Sequence, residues 1–387
     1  MGGRIVTLER DLDILAADSN RPNHFESHYL LKNPFPGDGD PAFDVCADQE
    51  EIRQRFTSTL GNFSTDAKRL FISGTIGAGK TNILRYFEQL TNAARQRGHI
   101  GNLHPIYVES PGENVLEVHG QIVSSLAARF LDVLLEKRLD ATVLDGLQLS
   151  EEFSSGLKAL LPSGTMPYLP QQQRKNNIFV RWLRGWKLTV ADKKDLSFRG
   201  WSPADISSVS MALSHLKEFL VVLRESELCE GVVLLLDEFE VIFQVLPRAR
   251  QSRYAQDLRN LLDTLSDYVF FVVATTPHPE DLELYPAIKR RLGQAVNLQP
   301  IDSSDQAILF VSEYLESGRD EFEKFQKARE VETDRSRPAN LEPLTMRMVE
   351  EVYCSLREEE GELDVLPGRF LPRIREKTNE IIESSCL

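Results

Sequence analysis

Residues Leu70 to Phe87 read LFISGTIGAGKTNILRYF: an apolar run, three glycines with a lysine and a threonine, then apolar residues at helical spacing. Gly74, Thr75, Ile76, Gly77, Ala78, Gly79, Lys80 and Thr81 fit the pattern G-x-x-x-x-G-K-[ST] in full. Each element of that pattern has a physical task. Backbone N–H groups converge on phosphate oxygens only where the chain bends tightly, and glycine permits the bend. The helix that follows turns its positive N-terminal end toward the anion. Lys80 supplies a mobile charge for the β- and γ-phosphates, and the Thr81 hydroxyl is placed to ligate Mg²⁺. The eight residues are therefore read as a phosphate loop, with ATP as its ligand.

Working outward, KRLFISG is a short strand, and KTNILRYFEQLTNAARQRG puts Ile83, Leu84, Phe87 and Leu90 on one helical face. HPIYVES, GVVLLLDEFE, YVFFVVATTP and QAVNLQP read as further strands. The most apolar of them carry no polar face, so they are expected to be buried on both sides in a parallel sheet covered by helices. Alternation with helices makes the fold class α/β. SPADISSVSMALSHLKEFL predicts a helix opening with Ser202 as N-cap and Pro203 as its first residue. From Asp302 onward only helical periods occur. The expected division is a lead-in over 1–46, a nucleotide-binding domain over 47–301 with an insertion near 140–200, and a helical lid over 302–387.

GVVLLLDEFE sets Asp237 and Glu238 at the carboxyl end of a buried strand, where open α/β sheets bind ligands. Asp237 is expected to hold Mg²⁺ through water, and Glu238 to polarise an attacking water. Glu240 is expected at most to support them. The next strand ends in Thr275 and Thr276, either of which can orient that water.

The 387 residues are enough for two or three units. A formal charge of −14 excludes a protein that coats nucleic acid with its whole surface. No uninterrupted apolar run reaches membrane-spanning length, and no membrane partner is expected. Cys46, Cys229, Cys354 and Cys386 are scattered, without metal-ligand spacing, which suits reduced thiols in the cytoplasm. One segment reverses the overall sign. Between Arg174 and Arg199 lie Lys175, Arg181, Arg184, Lys187, Lys193 and Lys194, opposed by Asp192 and Asp195, and Trp182, Trp186 and Trp201 fall in or beside it. Cations interleaved with aromatics suit DNA. They equally suit a protein partner, or a solvated surface over a small core.

The order of phosphate loop, acidic strand, polar strand end, arginine-bearing helix and helical tail resembles the AAA+ ATPases, most closely the origin-recognition and replication-initiator branch. The inserts FVRWLRGWKLTVADKKDL, GVVLLLDEFEVIF and DLRNLLDTL also look like the ATP-binding proteins of BREX phage-defence systems. The resemblance implies an ATP hydrolase that uses Mg²⁺ and assembles as a homo-oligomer, remodelling DNA or its complexes. A signalling or scaffold switch and a transposition or replication regulator are the alternatives. It implies Thr275 or Thr276 as a γ-phosphate sensor, and Arg291 or Arg290 in AIKRRLG as an arginine finger. Arg369, or failing it Arg373, matches a second sensor, and Asn33 and Phe35 in NPFP match the lead-in over the adenine ring.

Overall fold

Five parallel strands follow from the apolar stretches: β1 (Arg69–Ser73), β2 (Leu103–Val108), β3 (Gly231–Leu236), β4 (Val269–Thr275) and the short β5 (Val296–Asn297). They lie in the order β2-β3-β4-β1-β5. Every residue of β3 and β4 is buried, as strands covered on both faces must be. This is the expected α/β fold with a parallel sheet. In register Ser73 pairs with Thr275, and Leu236 with Val273, so β1, β3 and β4 end nearly level. The residues that follow those three ends share one rim of the sheet.

This is a computed structural model, and it describes residues 24–37, 45–64, 68–136, 141–161, 169–276, 286–329, 337–359 and 364–384. Much of the expected lead-in lies outside them. The chain divides into two compact units, Gln49–Gln299 and a second unit of Met1–Asp48 with Pro300–Leu387.

In the larger unit the helix Glu50–Gly61 docks through Phe56, which stacks on Phe87 at 3.8 Å between centroids and also meets Phe270 of β4. Such ring pairs add roughly 0.5–1.5 kcal/mol to the burial of their area. The helix Val115–Glu136 is, by length and composition, apolar enough to cross a membrane, but most of it is buried in this core. The short helices Glu151–Lys158 and Val190–Asp195 and the longer Leu169–Leu183 form the insertion. Their apolar residues join the same core as Val115–Glu136 and Val209–Glu225, so the insertion is part of this unit.

The helix expected from Ser202 starts later, at Val209, with Ser208 as N-cap accepting from the Met211 N–H. The reason is Trp182. Its ring is buried, and its indole N–H donates to the Ala204 carbonyl at 2.9 Å. Residues 202–207 stay outside the helix, and one carbonyl among them serves that buried donor, which would otherwise go unsatisfied.

The smaller unit is built on the helices Ser304–Ala328, Met346–Glu359 and Pro367–Ser384. Arg319 is fully buried there, donating to the Ala339, Asn340 and Glu342 carbonyls and pairing with Glu316. One guanidinium thus orders a loop with no regular hydrogen bonding of its own.

Candidate nucleotide site

The phosphate loop leaves β1 at Ser73. The Gly74 N–H donates to the Thr275 carbonyl at 3.1 Å, fastening the loop to the end of β4. A Cβ on Gly74 would lie 2.9 Å from Leu298 and 3.1 Å from Ala78, so the loop passes too close for any larger residue. Gly77 and Gly79 have φ of 84° and 93°, in the left-handed region. The helix Lys80–Gln96 begins directly after Gly79 with no side-chain cap. Its first N–H groups therefore remain available to an anion.

Across the rim, β3 delivers Asp237, which is 2% exposed. Its Oδ2 accepts from the Thr81 hydroxyl at 2.6 Å and from the Tyr107 hydroxyl at 2.9 Å. Its Oδ1 accepts the Glu238 N–H at 2.9 Å. Thr81 and Asp237 are thus brought together as hard oxygen donors, the chemistry Mg²⁺ takes when phosphates complete its shell. Glu238 has φ of 48°, rare for a residue with a bulky side chain. Backbone strain of this kind collects at functional sites. Burial first, then repulsion from Asp237, Glu240 and Glu109, pushes the Glu238 carboxyl above its usual range.

Of the two threonines at the end of β4, Thr275 is buried and its hydroxyl donates to the Thr276 carbonyl. Thr276 is the one that faces the loop, accepting from Lys80 Nζ at 3.0 Å. Its own hydroxyl and N–H both go to Glu240, at 2.5 and 3.0 Å. Burial would raise Glu240, but the Thr276 hydrogen bonds and the Lys80 charge hold it below the usual carboxylate range. Burial lowers Lys80, against the pull of Glu240, Asp237 and Glu238.

Arg291, in the helix Pro286–Leu292, makes a two-pronged ion pair with Asp263 at 2.6 and 2.7 Å. Arg290 beside it is exposed, with no side-chain hydrogen bond or ion pair among the described residues. In the smaller unit Asn33 binds the Arg375 carbonyl and Asn379, and accepts the Phe35 N–H. Phe35 is fully buried near Tyr314, with no ring face exposed. Arg369 is exposed in the first turn of Pro367–Ser384, and Arg373 lies 3.4 Å from Glu359.

The basic segment is less basic than it reads. Arg174 pairs with Asp195, Arg181 with Asp192 and Lys193 with Asp205. Trp182 and Trp201 pack edge to face inside the unit. Only Trp186 is half exposed, beneath the Arg184 guanidinium, with Lys187 and Lys194 exposed nearby in sequence. Glu240 and Tyr107 are the site residues that motif reading missed. Two acids flanking Phe239 were the signal for the first, and nothing in the sequence marked the second.

The sequence pattern described as BREX system ATP-binding protein BrxC/D matches residues 107–314, more than half of the chain. This chain belongs to that family. The BrxC/D match takes in Tyr107, the whole insertion, Asp237 to Glu240, both threonines and both arginines, and starts downstream of the phosphate loop. No curated protein matches the chain. Among solved structures the chain is similar to the ADP form of the Aeropyrum pernix ORC2 protein, with 12% identity and a TM-score of 0.42, over 92% of this chain and 73% of that one. The ADPNP-ADP complexes of the same protein give 13%, 0.41, 91% and 72%. At that level the likeness says nothing of the ligands or partners of this BrxC/D protein.

Proposed function

We propose that this BrxC/D protein hydrolyses ATP with Mg²⁺, as a homo-oligomer, and uses the cycle to remodel complexes on DNA in defence against phage. The observation that carries the reading is the meeting of a full phosphate loop with Thr81, Asp237 and a strained Glu238 on one rim of a parallel sheet. Thr81 and Asp237 would hold Mg²⁺, which when bound neutralises charge on the phosphates. Glu238 accepts a proton from the attacking water as the γ-phosphoryl group leaves. A carboxyl raised above its ordinary range is the better base at neutral pH. Thr276, whose hydroxyl hydrogen goes to Glu240, offers lone pairs toward the same water. Arg290 is free to reach a neighbouring subunit's γ-phosphate, whereas Arg291 is held by Asp263. DNA is left with Lys187, Lys194 and Trp186 as its contacts.

The test pairs two variants. Lys80→Ala should lose most ATP affinity in a titration. Glu238→Gln should bind ATP normally and turn over at least about a hundredfold more slowly, within the range expected for loss of a general base. Wild-type turnover in Glu238→Gln, or unchanged ATP affinity in Lys80→Ala, removes the assignment.

A further inference from the structure

Glu240 carries more than its place beside the acidic pair demands. Both of its carboxylate oxygens are used on Thr276, one on the N–H at 3.0 Å and one on the hydroxyl at 2.5 Å. The turn is already tied to β4 by the Phe239 N–H donating to the Ala274 carbonyl at 3.2 Å, so joining the two elements does not explain the arrangement. A threonine hydroxyl has one hydrogen. With that hydrogen directed at Glu240, only lone pairs remain for the phosphate loop, and the Lys80 ammonium donates to them at 3.0 Å. The other two hydrogens of Lys80 go to the Gly74 carbonyl at 2.8 Å and the Thr75 carbonyl at 3.2 Å.

We infer that Glu240 is a positioning residue for the nucleotide: acting through Thr276 it fixes where the Lys80 ammonium stands in the phosphate loop, and by its own charge it keeps that ammonium protonated. This role rests on the reading of the loop as a nucleotide site. Three carboxylates face Lys80, those of Glu240, Asp237 and Glu238, and Glu240 acts on it most strongly. Asp237 is engaged by Thr81 and Tyr107, and Glu238 carries the raised carboxyl. Glu240 is thus the carboxylate most firmly ionised beside a lysine that burial works to discharge.

The experiment is a double-mutant cycle read by binding of a fluorescent ATP analogue to the full chain, from about pH 7 to about pH 10. Glu240→Gln should weaken binding roughly tenfold, the scale of one charge-assisted hydrogen bond. The alkaline loss of binding should move to lower pH, because the ammonium now loses its proton sooner. Thr276→Val should weaken binding without moving that limb. In the Thr276→Val background, Glu240→Gln should have a distinctly smaller effect than alone. Glu240→Asp, which keeps the charge, should leave the alkaline limb where it is, and serves if the glutamine variant is poorly folded by thermal melting. Strictly additive effects, or an alkaline limb at the wild-type pH in Glu240→Gln, overturn the role of Glu240 and leave the nucleotide site standing. Failure of the wild type to bind the analogue at all overturns the nucleotide reading, and this role with it.

Discussion

Arg290 and Arg291 are adjacent in sequence and opposite in circumstance. The Arg291 guanidinium lies flat against both oxygens of Asp263, with a side-chain exposure of 12%. That planar, two-bond geometry is the one arginine makes best. An arginine so engaged would have to leave its partner before reaching another subunit. Arg291→Ala should therefore lower the melting temperature, by the equivalent of about 1 kcal/mol or less for so partly exposed a pair. Arg290→Ala should leave the melting temperature alone. Equal melting of the two variants would remove the structural role given to Arg291. Glu238 and Glu240 show the same division between neighbours. Repulsion pushes one carboxyl up, and the Thr276 hydrogen bonds hold the other down. Separated affinities of this kind mark a base and a fixed charge.

At the scale of elements, the helices that cover the sheet bury histidines without completing their hydrogen bonds. His104 on β2, His119 on Val115–Glu136 and His215 on Val209–Glu225 are all buried, and each leaves Nδ1 without a partner. Burial brings each of them down from 6.5 to about 4. Glu152 lies 3.8 Å from His215, but at 40% exposure it is too well solvated to offset that burial. In the folded protein the three rings are thus neutral where the unfolded chain protonates. The stability they contribute is complete above pH 6.5 and is lost as pH falls through about 4. Thermal unfolding followed between those limits should show a steep fall in melting temperature, shallower in His119→Gln. An identical slope in that variant would mean that other groups set the acid limit. The same helices explain the insertion. Trp182 sits in the core, near His215 at 4.9 Å between rings, so this tryptophan packs and does not stack bases.

At the scale of the molecule, an exposed Arg290 with no side-chain partner among the described residues is the feature that assembly explains best. We propose head-to-tail contacts in which it reaches the next subunit's phosphate loop. Mixing inactive Lys80→Ala with inactive Arg290→Ala should restore part of the turnover, because mixed interfaces pair an intact loop with an intact arginine. No recovery in the mixture, with turnover per subunit independent of protein concentration, would mean that the protein works alone.

The phosphate loop, the parallel sheet and the acidic strand end were legible in the sequence because each depends on local rules. Gly77 and Gly79 must allow a left-handed bend, and β3 and β4 must be apolar on both faces. What needed the tertiary structure was every choice between near-equivalent neighbours. Thr275 or Thr276, Arg290 or Arg291, and Ser202 or Ser208 have the same local chemistry. They are told apart by partners far along the chain: Glu240 for Thr276, Asp263 for Arg291, and the buried indole of Trp182 for the start of the helix. The basic segment shows the limit most clearly. Its cations are counted correctly in the sequence, but Asp205 pairs with Lys193 only when the fold brings the two together. Periodicity and motif spacing report what a residue does to the chain beside it; a side chain's partner is set by packing, which the chain acquires only when folded.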